Sequence, residues 1–214
     1  MVWDIFDNLV AHVLFWGSYR KPGEDDGEPA KVAMFLKNYT VFNVAQCDGV
    51  DHLIDCKPRI VNTGVRDMLA DEFIRSTGAN VRHNESRAYY ATKRNYINLP
   101  AFEAFTGAEQ YYGTAFHDLT HWSGAEHRLN RTFGKRFGDA AYSAEELVVE
   151  LGSAFLCVEF GFDKATLDNS AAYIDHWSAF LKENDRAFIA AASAASKATE
   201  YMRNLARQAE PLVA

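Results

Sequence analysis

Apolar side chains recur at helical spacing near the start of the chain. Val2, Ile5, Phe6, Leu9, Val10, Val13 and Leu14 share one face as far as Gly17, which predicts a short amphipathic helix over residues 2–16. Residues 20–29 are polar and rich in Gly, Pro and acids, the composition of an exposed linker, so a boundary is expected there. Two short strands follow over 31–36 and 39–44, bounded by Lys37-Asn38 and by Cys47-Asp48-Gly49. Helical period returns over 62–77, with Val65, Met68, Leu69, Phe73 and Ile74 on one side and Gly78 as the stop. Three segments separated by turn-forming residues, 80–83, 88–91 and 96–99, read as a small antiparallel meander that Pro100 closes.

The second half is helical in pattern. From Ala108 onward, Ala108, Tyr111, Tyr112, Ala115, Leu119 and Trp122 form a stripe suited to a core. Ser143-Ala144-Glu145-Glu146 matches a capping box and opens a helix through Leu147, Leu151, Ala154, Phe155 and Val158 to about Gly161. Its interior is nearly all apolar, as a buried helix requires. Two more helices are expected over 171–184 and from 185 to about 208, the latter rich in Ala. The chain contains no internal repeat.

On the first of these helices sits the pattern His117-Asp118-Leu119-Thr120-His121. Positions four apart lie one above the other on a helix, so both imidazoles can reach one metal ion, and zinc is the ion this spacing suits. An acid directly after the first histidine stands beside that ion, where it can act as a general base, as in the H-E-x-x-H metallopeptidase motif. Here that acid is Asp118, one methylene shorter than glutamate. A catalytic zinc site needs a third protein ligand. Glu146 and Glu150, one turn apart on the apolar downstream helix, are the candidates, with Glu146 preferred and the other free to support a ligating histidine. Glu145 is expected to face away. His83, His127 and His176 read as surface or core residues, with His127 a substitute ligand by its closeness to the motif.

Composition narrows the class. The chain has 214 residues, 48% hydrophobic and 24% charged, enough for one globular domain with a small appendage. There is no apolar run near the length of a membrane span, and Asp4 and Asp7 stand where a secretory signal has bases, so a cytoplasmic protein without a membrane partner is expected. Cys47, Cys56 and Cys157 are odd in number and lack C-x-x-C spacing, which points to reduced thiols. A formal charge of -7 argues against general nucleic-acid binding. Two local basic clusters remain: Arg82, Arg87, Lys93 and Arg94, and then Arg128, Arg131, Lys135 and Arg136.

FHDLTHWSG (116–124) followed by RLNR (128–131) resembles the metallopeptidase domain of ArdC-type antirestriction proteins, a polyvalent-protein metallopeptidase family. YTVFNVAQ (39–46), GANVRHNESRAYY (78–90), YINLP (96–100), YSAEELVVELGSAFLC (142–157) and YIDHWSAFLK (173–182) resemble its pattern in the same order, over residues 31 to about 205. The resemblance implies an α+β, zincin-like fold and carriage on conjugative plasmids, phages or related mobile elements. It also implies a Zn2+ ion held by His117, His121 and Glu146, with Glu150 supporting a histidine and Asp118 as the catalytic base. Glutamate is the family's usual residue at the position of Asp118. Similar proteins carry a single-stranded-DNA-binding domain before the peptidase, of which residues 1–30, read as helix and linker, are at most a remnant; residues 31–214 are then the zincin-like domain. The expected partner is a peptide or protein substrate paired with the strand over 96–99. The alternative is a zinc-pinned module that protects incoming DNA by contacting single-stranded DNA or a host defence protein.

Overall fold

The computed structural model describes residues 11–21, 31–41, 47–49, 64–134, 140–162 and 186–209. The chain divides into two compact units, Met1–Lys57 and Pro58–Ala214.

In the first unit, β1 (Ala11–Lys21) and β2 (Lys31–Val41) form an antiparallel hairpin in unbroken register, from Ala11 opposite Val41 to Lys21 opposite Lys31. The expected helix over 2–16 is thus corrected for its last six residues, 11–16, which lie in β1. The run Val13-Leu14-Phe15-Trp16 satisfies a helical stripe and a strand equally, and pairing along the whole of β2 decides between them. β2 also runs straight through Lys37 and Asn38, where a turn was expected. Phe15 and Phe35 meet diagonally across the strands with ring centres 6.0 Å apart. The expected boundary near residue 30 falls between two strands of one hairpin.

The second unit begins with α1 (Met68–Ser76). Asp67 caps it, its carboxylate accepting the N–H groups of Leu69 and Ala70 at 3.0 Å each, and Gly78 ends the turn beyond it at φ 76°. Ala70, Phe73 and Ile74 face the core, whereas Val65, Met68 and Leu69, expected beside them, stand in solvent. The helix starts later than its apolar pattern suggests because the cap sets its first turn.

Three short strands follow, β3 (Val81–Arg82), β4 (Tyr89–Ala91) and β5 (Tyr96–Asn98), in the spatial order β3-β5-β4. β3 runs parallel to β5 and β4 antiparallel to it, so the sheet is mixed and is not the antiparallel meander expected from the turns. β5 takes the centre because all three of its residues are buried. The buried Asn98 fixes the connection. Its amide donates to the carbonyls of Glu85 at 3.2 Å and Arg87 at 2.6 Å, and its oxygen accepts the Asn84 N–H at 3.2 Å. Those bonds carry the loop over β5 and deliver β4 to the outer edge.

α2 (Ala108–Ser123) is the central rod, and α3 (Ala140–Glu159) and α4 (Ala187–Ala209) pack on it. The expected stripe of α2 is buried with Phe116 added, and it sits in an aromatic core where Tyr112 stacks on Phe162 at 4.9 Å and Tyr111 meets Tyr112 edge-on at 5.0 Å. α3 begins before Ser143, so Ser143 and Glu146 lie inside the helix and form no capping box. Gly152 lets α2 and α3 touch. A Cβ there would stand 2.7 Å from the Thr120 methyl, closer than packed carbons allow. The helix expected over 171–184, with His176, lies outside the described residues, as do Lys135 and Arg136 and the expected linker from residue 22 onward.

Candidate metal centre

α2 presents His117 and His121 one above the other, with ring centres 5.0 Å apart, on a rod anchored along its opposite side. The contact of Gly152 with Thr120 brings α3 close enough for Glu146 to answer both. Glu146 Oε2 lies 3.7 Å from His117 Nε2, and its Oε1 lies 3.4 Å from His121 Nε2. One donor atom from each of the three falls within 4.8 Å of the others. Two ligands bound at about 2.0–2.1 Å to a tetrahedral ion are roughly 3.4 Å apart, so the spacing fits a divalent cation with little movement.

Each imidazole is held from behind by another acid of α3. Glu150 Oε1 lies 3.3 Å from His117 Nδ1, and Glu145 Oε1 lies 3.4 Å from His121 Nδ1. Carboxylates at both Nδ1 atoms favour the tautomer that leaves each Nε2 lone pair turned toward Glu146. Glu145 is therefore corrected: it does not face away but is buried, with 5% of its surface exposed. Its charge is met by Arg131, whose guanidinium also donates to the Thr120 carbonyl at 2.6 Å and the Ser123 hydroxyl at 3.0 Å. A Cβ on Gly124 would stand 2.7 Å from that guanidinium, so the small residue that follows α2 makes room for it.

Burial pushes the Asp118 carboxyl up to about 6, with the neighbouring histidines opposing the rise and Glu146 adding to it. For His121 burial disfavours the cation, but Glu145 and Glu146 outweigh it and raise the ring to about 9 in the metal-free protein. Burial also opposes ionisation of Glu146, yet His121, His117 and the Tyr142 hydroxyl together hold its pKa below the usual value.

Asp118, both histidines, Glu145, Glu146 and Tyr142 line a cleft of about 420 Å³, whose other wall includes Ala88, Tyr89, Tyr90 and Thr92. The outer edge of β4 therefore borders the cluster. β5, expected to receive an extended substrate, cannot, since both its edges are taken by β3 and β4. His83 and His127 stay apart from the cluster: His83 Nδ1 faces the Pro100 carbonyl and His127 Nε2 faces Arg128.

Residues 68–194 match the model of a family described as zincin-like metallopeptidase. The chain belongs to this family. Among solved structures, the metal-free antirestriction protein ArdC of plasmid R388 superposes with a TM-score of 0.73 at 35% identity, over 95% of this chain and 72% of that one. The Mn(II)-bound form of that ArdC gives 0.69 at 33% identity, over 92% and 69%. Protein y4eC of Sinorhizobium fredii is 37% identical over 179 residues, which is 84% of this chain and 57% of y4eC. DNA primase TraC of Escherichia coli is 34% identical over 183 residues, 83% of this chain and 17% of TraC. The zincin-like chain thus spans little more than half of one curated relative and a small part of the other. The mixed sheet with its helices and the likeness to ArdC make it an α+β, zincin-like, ArdC-like protein. Among its described residues, no helix is long and apolar enough to cross a membrane.

Sequence reasoning passed over Glu145, Arg131 and Tyr142 as parts of the site. The signals available were the segments that resemble ArdC proteins: Arg131 closes RLNR, and Tyr142 and Glu145 lie in YSAEELVVELGSAFLC.

Proposed function

We propose that the protein is a cytoplasmic zinc-dependent peptidase of the antirestriction type, encoded on a mobile element, with His117, His121 and Glu146 as metal ligands and Asp118 as general base. The observation that carries this reading is the convergence of two Nε2 atoms and one carboxylate within 4.8 Å, in a cleft bordered by a sheet edge. Bound zinc supplies a Lewis acid that acidifies water and polarises a carbonyl. The Asp118 carboxylate takes a proton from the attacking water and returns it to the leaving amine nitrogen. Glu150 and Glu145 hold the two imidazoles in orientation through Nδ1. The outer edge of β4 pairs with the backbone of an extended substrate and keeps the scissile bond in the cleft.

The test is metal content combined with a broad peptide-cleavage screen of wild type, Asp118→Glu and Asp118→Asn. About one zinc per chain and cleavage that Asp118→Asn abolishes are expected; equal rates in the two variants would remove Asp118 as the base.

A second reading, a zinc-pinned module that protects DNA by contact, draws on the hairpin of the first unit. Phe15, Leu36, Tyr39 and Val41 are exposed there, and the Lys37 amine lies over the Phe35 ring at 5.5 Å. The second basic cluster lends it little, because Arg131 is committed to Glu145, and Arg128 to the Trp122 carbonyl, Tyr90 and Asn95. Single-stranded DNA affinity measured against salt discriminates: no binding at low salt removes this reading.

A further inference from the structure

We propose that the cleft selects extended peptides bearing acidic side chains on either side of the segment that lies along β4. The inference rests on the peptidase reading and adds the chemical class of its substrate.

Three observations support it. First, β4 is an edge strand: among the described residues it pairs only with β5, and Ala88, Tyr89, Tyr90 and Thr92 line the cleft. The Tyr90 N–H on that edge is taken by the Asp118 carboxylate, which leaves the outer C=O groups as the part of this wall that an extended backbone can bond. Second, the strand is bracketed by cations. Arg87 precedes it, and Lys93 and Arg94 follow it in the turn that closes on Asn95 at φ 51°. All three are exposed and none forms an ion pair among the described residues, whereas Arg66, Arg75, Arg131, Arg203 and Arg207 are each matched to an acid. Two other nearby cations are already occupied. Arg82 lies over the Tyr96 ring at 4.2 Å, and Arg128 over the Trp122 ring at 4.0 Å. The one acid on this stretch, Glu85, accepts the Tyr89 hydroxyl.

Third, the spacing suits a peptide. The residues between Arg87 and Lys93 run from Ala88 to Thr92, so an extended segment of roughly six residues laid on β4 reaches from one cation to the other. A chain of net charge -7 with three cations unmatched by any described acid beside its site draws acidic ligands there against its own repulsion. Phosphates would satisfy the same cations. A phosphodiester backbone, however, carries no N–H groups to pair with the outer carbonyls of the strand, whereas a peptide accounts for both features.

The experiment uses the zinc-loaded full chain carrying Asp118→Asn to stop turnover. Short fluorescent peptides with acidic, neutral or basic residues toward both ends are titrated by anisotropy. The acidic peptide should bind on the order of tenfold more tightly than the neutral one at low salt, with the gap closing as salt rises. Adding R87E, K93E and R94E together should reverse the order of acidic and basic peptides. Equal affinity for the three peptides, or no change in the charge-reversed protein, would overturn the proposal. So would a single-stranded oligonucleotide that binds more tightly than every peptide and loses its affinity on charge reversal, since the cations then serve phosphates. The same peptides incubated with wild type separate the two levels of inference. Acid-selective binding without cleavage removes the peptidase and keeps the surface; cleavage indifferent to charge keeps the peptidase and removes the surface.

Discussion

Arg131 grips Glu145 with two parallel hydrogen bonds, Nε to Oε2 and Nη2 to Oε1, both 2.9 Å long. The same Oε1 lies 3.4 Å from His121 Nδ1, so a residue outside every helix controls the back of a candidate ligand. Because Glu145 is buried, Arg131→Ala leaves a carboxylate without its counterion and should cost about 3–5 kcal/mol of stability in urea unfolding. Glu145→Gln keeps the shape and should instead weaken zinc by about 10–100-fold in a chelator competition. Unchanged metal affinity in Glu145→Gln would show that this carboxylate does not orient His121.

Removing either imidazole should empty the centre. Elemental analysis should find about one zinc per chain in wild type and none in His117→Ala or His121→Ala. Full metal retention in both variants would refute the ligand assignment. Glu150→Gln, which loses only support behind His117, should keep the metal at saturating zinc but bind it about 10–100-fold more weakly.

Asp118 should matter to turnover far more than to metal binding. Asp118→Asn is expected to lower kcat by about 10²–10⁴-fold with zinc content unchanged. Asp118→Glu extends the carboxylate by one methylene and should raise the rate if reach limits proton transfer. Steady-state kinetics on any peptide found in the screen would distinguish these outcomes.

The Gly152 contact predicts a rescue. In Gly152→Ala the new methyl meets Thr120 Cγ2 at 2.7 Å, which should cost about 1–3 kcal/mol and weaken zinc as α3 is forced away from α2. Thr120→Ser removes that methyl while keeping the hydroxyl bonded to the Phe116 carbonyl at 2.7 Å. The double variant should recover most of both losses, and a failure to do so in paired unfolding and metal-binding measurements would mean the clash lies elsewhere.

The buried Cys157 gives a pH dependence. Burial pushes its thiol up to about 12, against 9.0 for an ordinary thiol. The folded state keeps the proton that the unfolded chain loses, so this contribution is complete below pH 9 and disappears as pH rises toward 12. The difference in unfolding free energy between wild type and Cys157→Ala should therefore fall by up to about 1.4 kcal/mol per pH unit across that window. A difference that stays flat with pH would mean the thiol titrates normally.

Local patterns carried part of this structure. The histidine pair of α2 was legible because its geometry depends on four consecutive steps of one helix, and the apolar stripe beside it marked the anchored face. β1 was not, since the apolar run that serves a helix stripe becomes a strand only by pairing with residues as distant as Val41 opposite Ala11. Ser143 and Glu146 match a capping box, yet the same spacing occurs within a helix, and only the chain before Ser143 settles which applies. The central place of β5 is a matter of strand order, which turn residues do not encode. Glu145 escaped notice because its partners, His121 and Arg131, belong to another helix and to the segment after it, and no helical wheel of α3 shows them.

Asn98 touches nothing in the cleft, yet it governs the shape of one wall. A single amide satisfies two carbonyls and one N–H of the crossing loop, a set of bonds that neither leucine nor aspartate can reproduce. A substitution there would release β4 at its root and change the groove from a fixed template into a drifting one, while every side chain of the metal cluster stayed intact. Loss of activity would then arrive with a full complement of zinc, and its origin would be sought in vain among the residues that face the substrate.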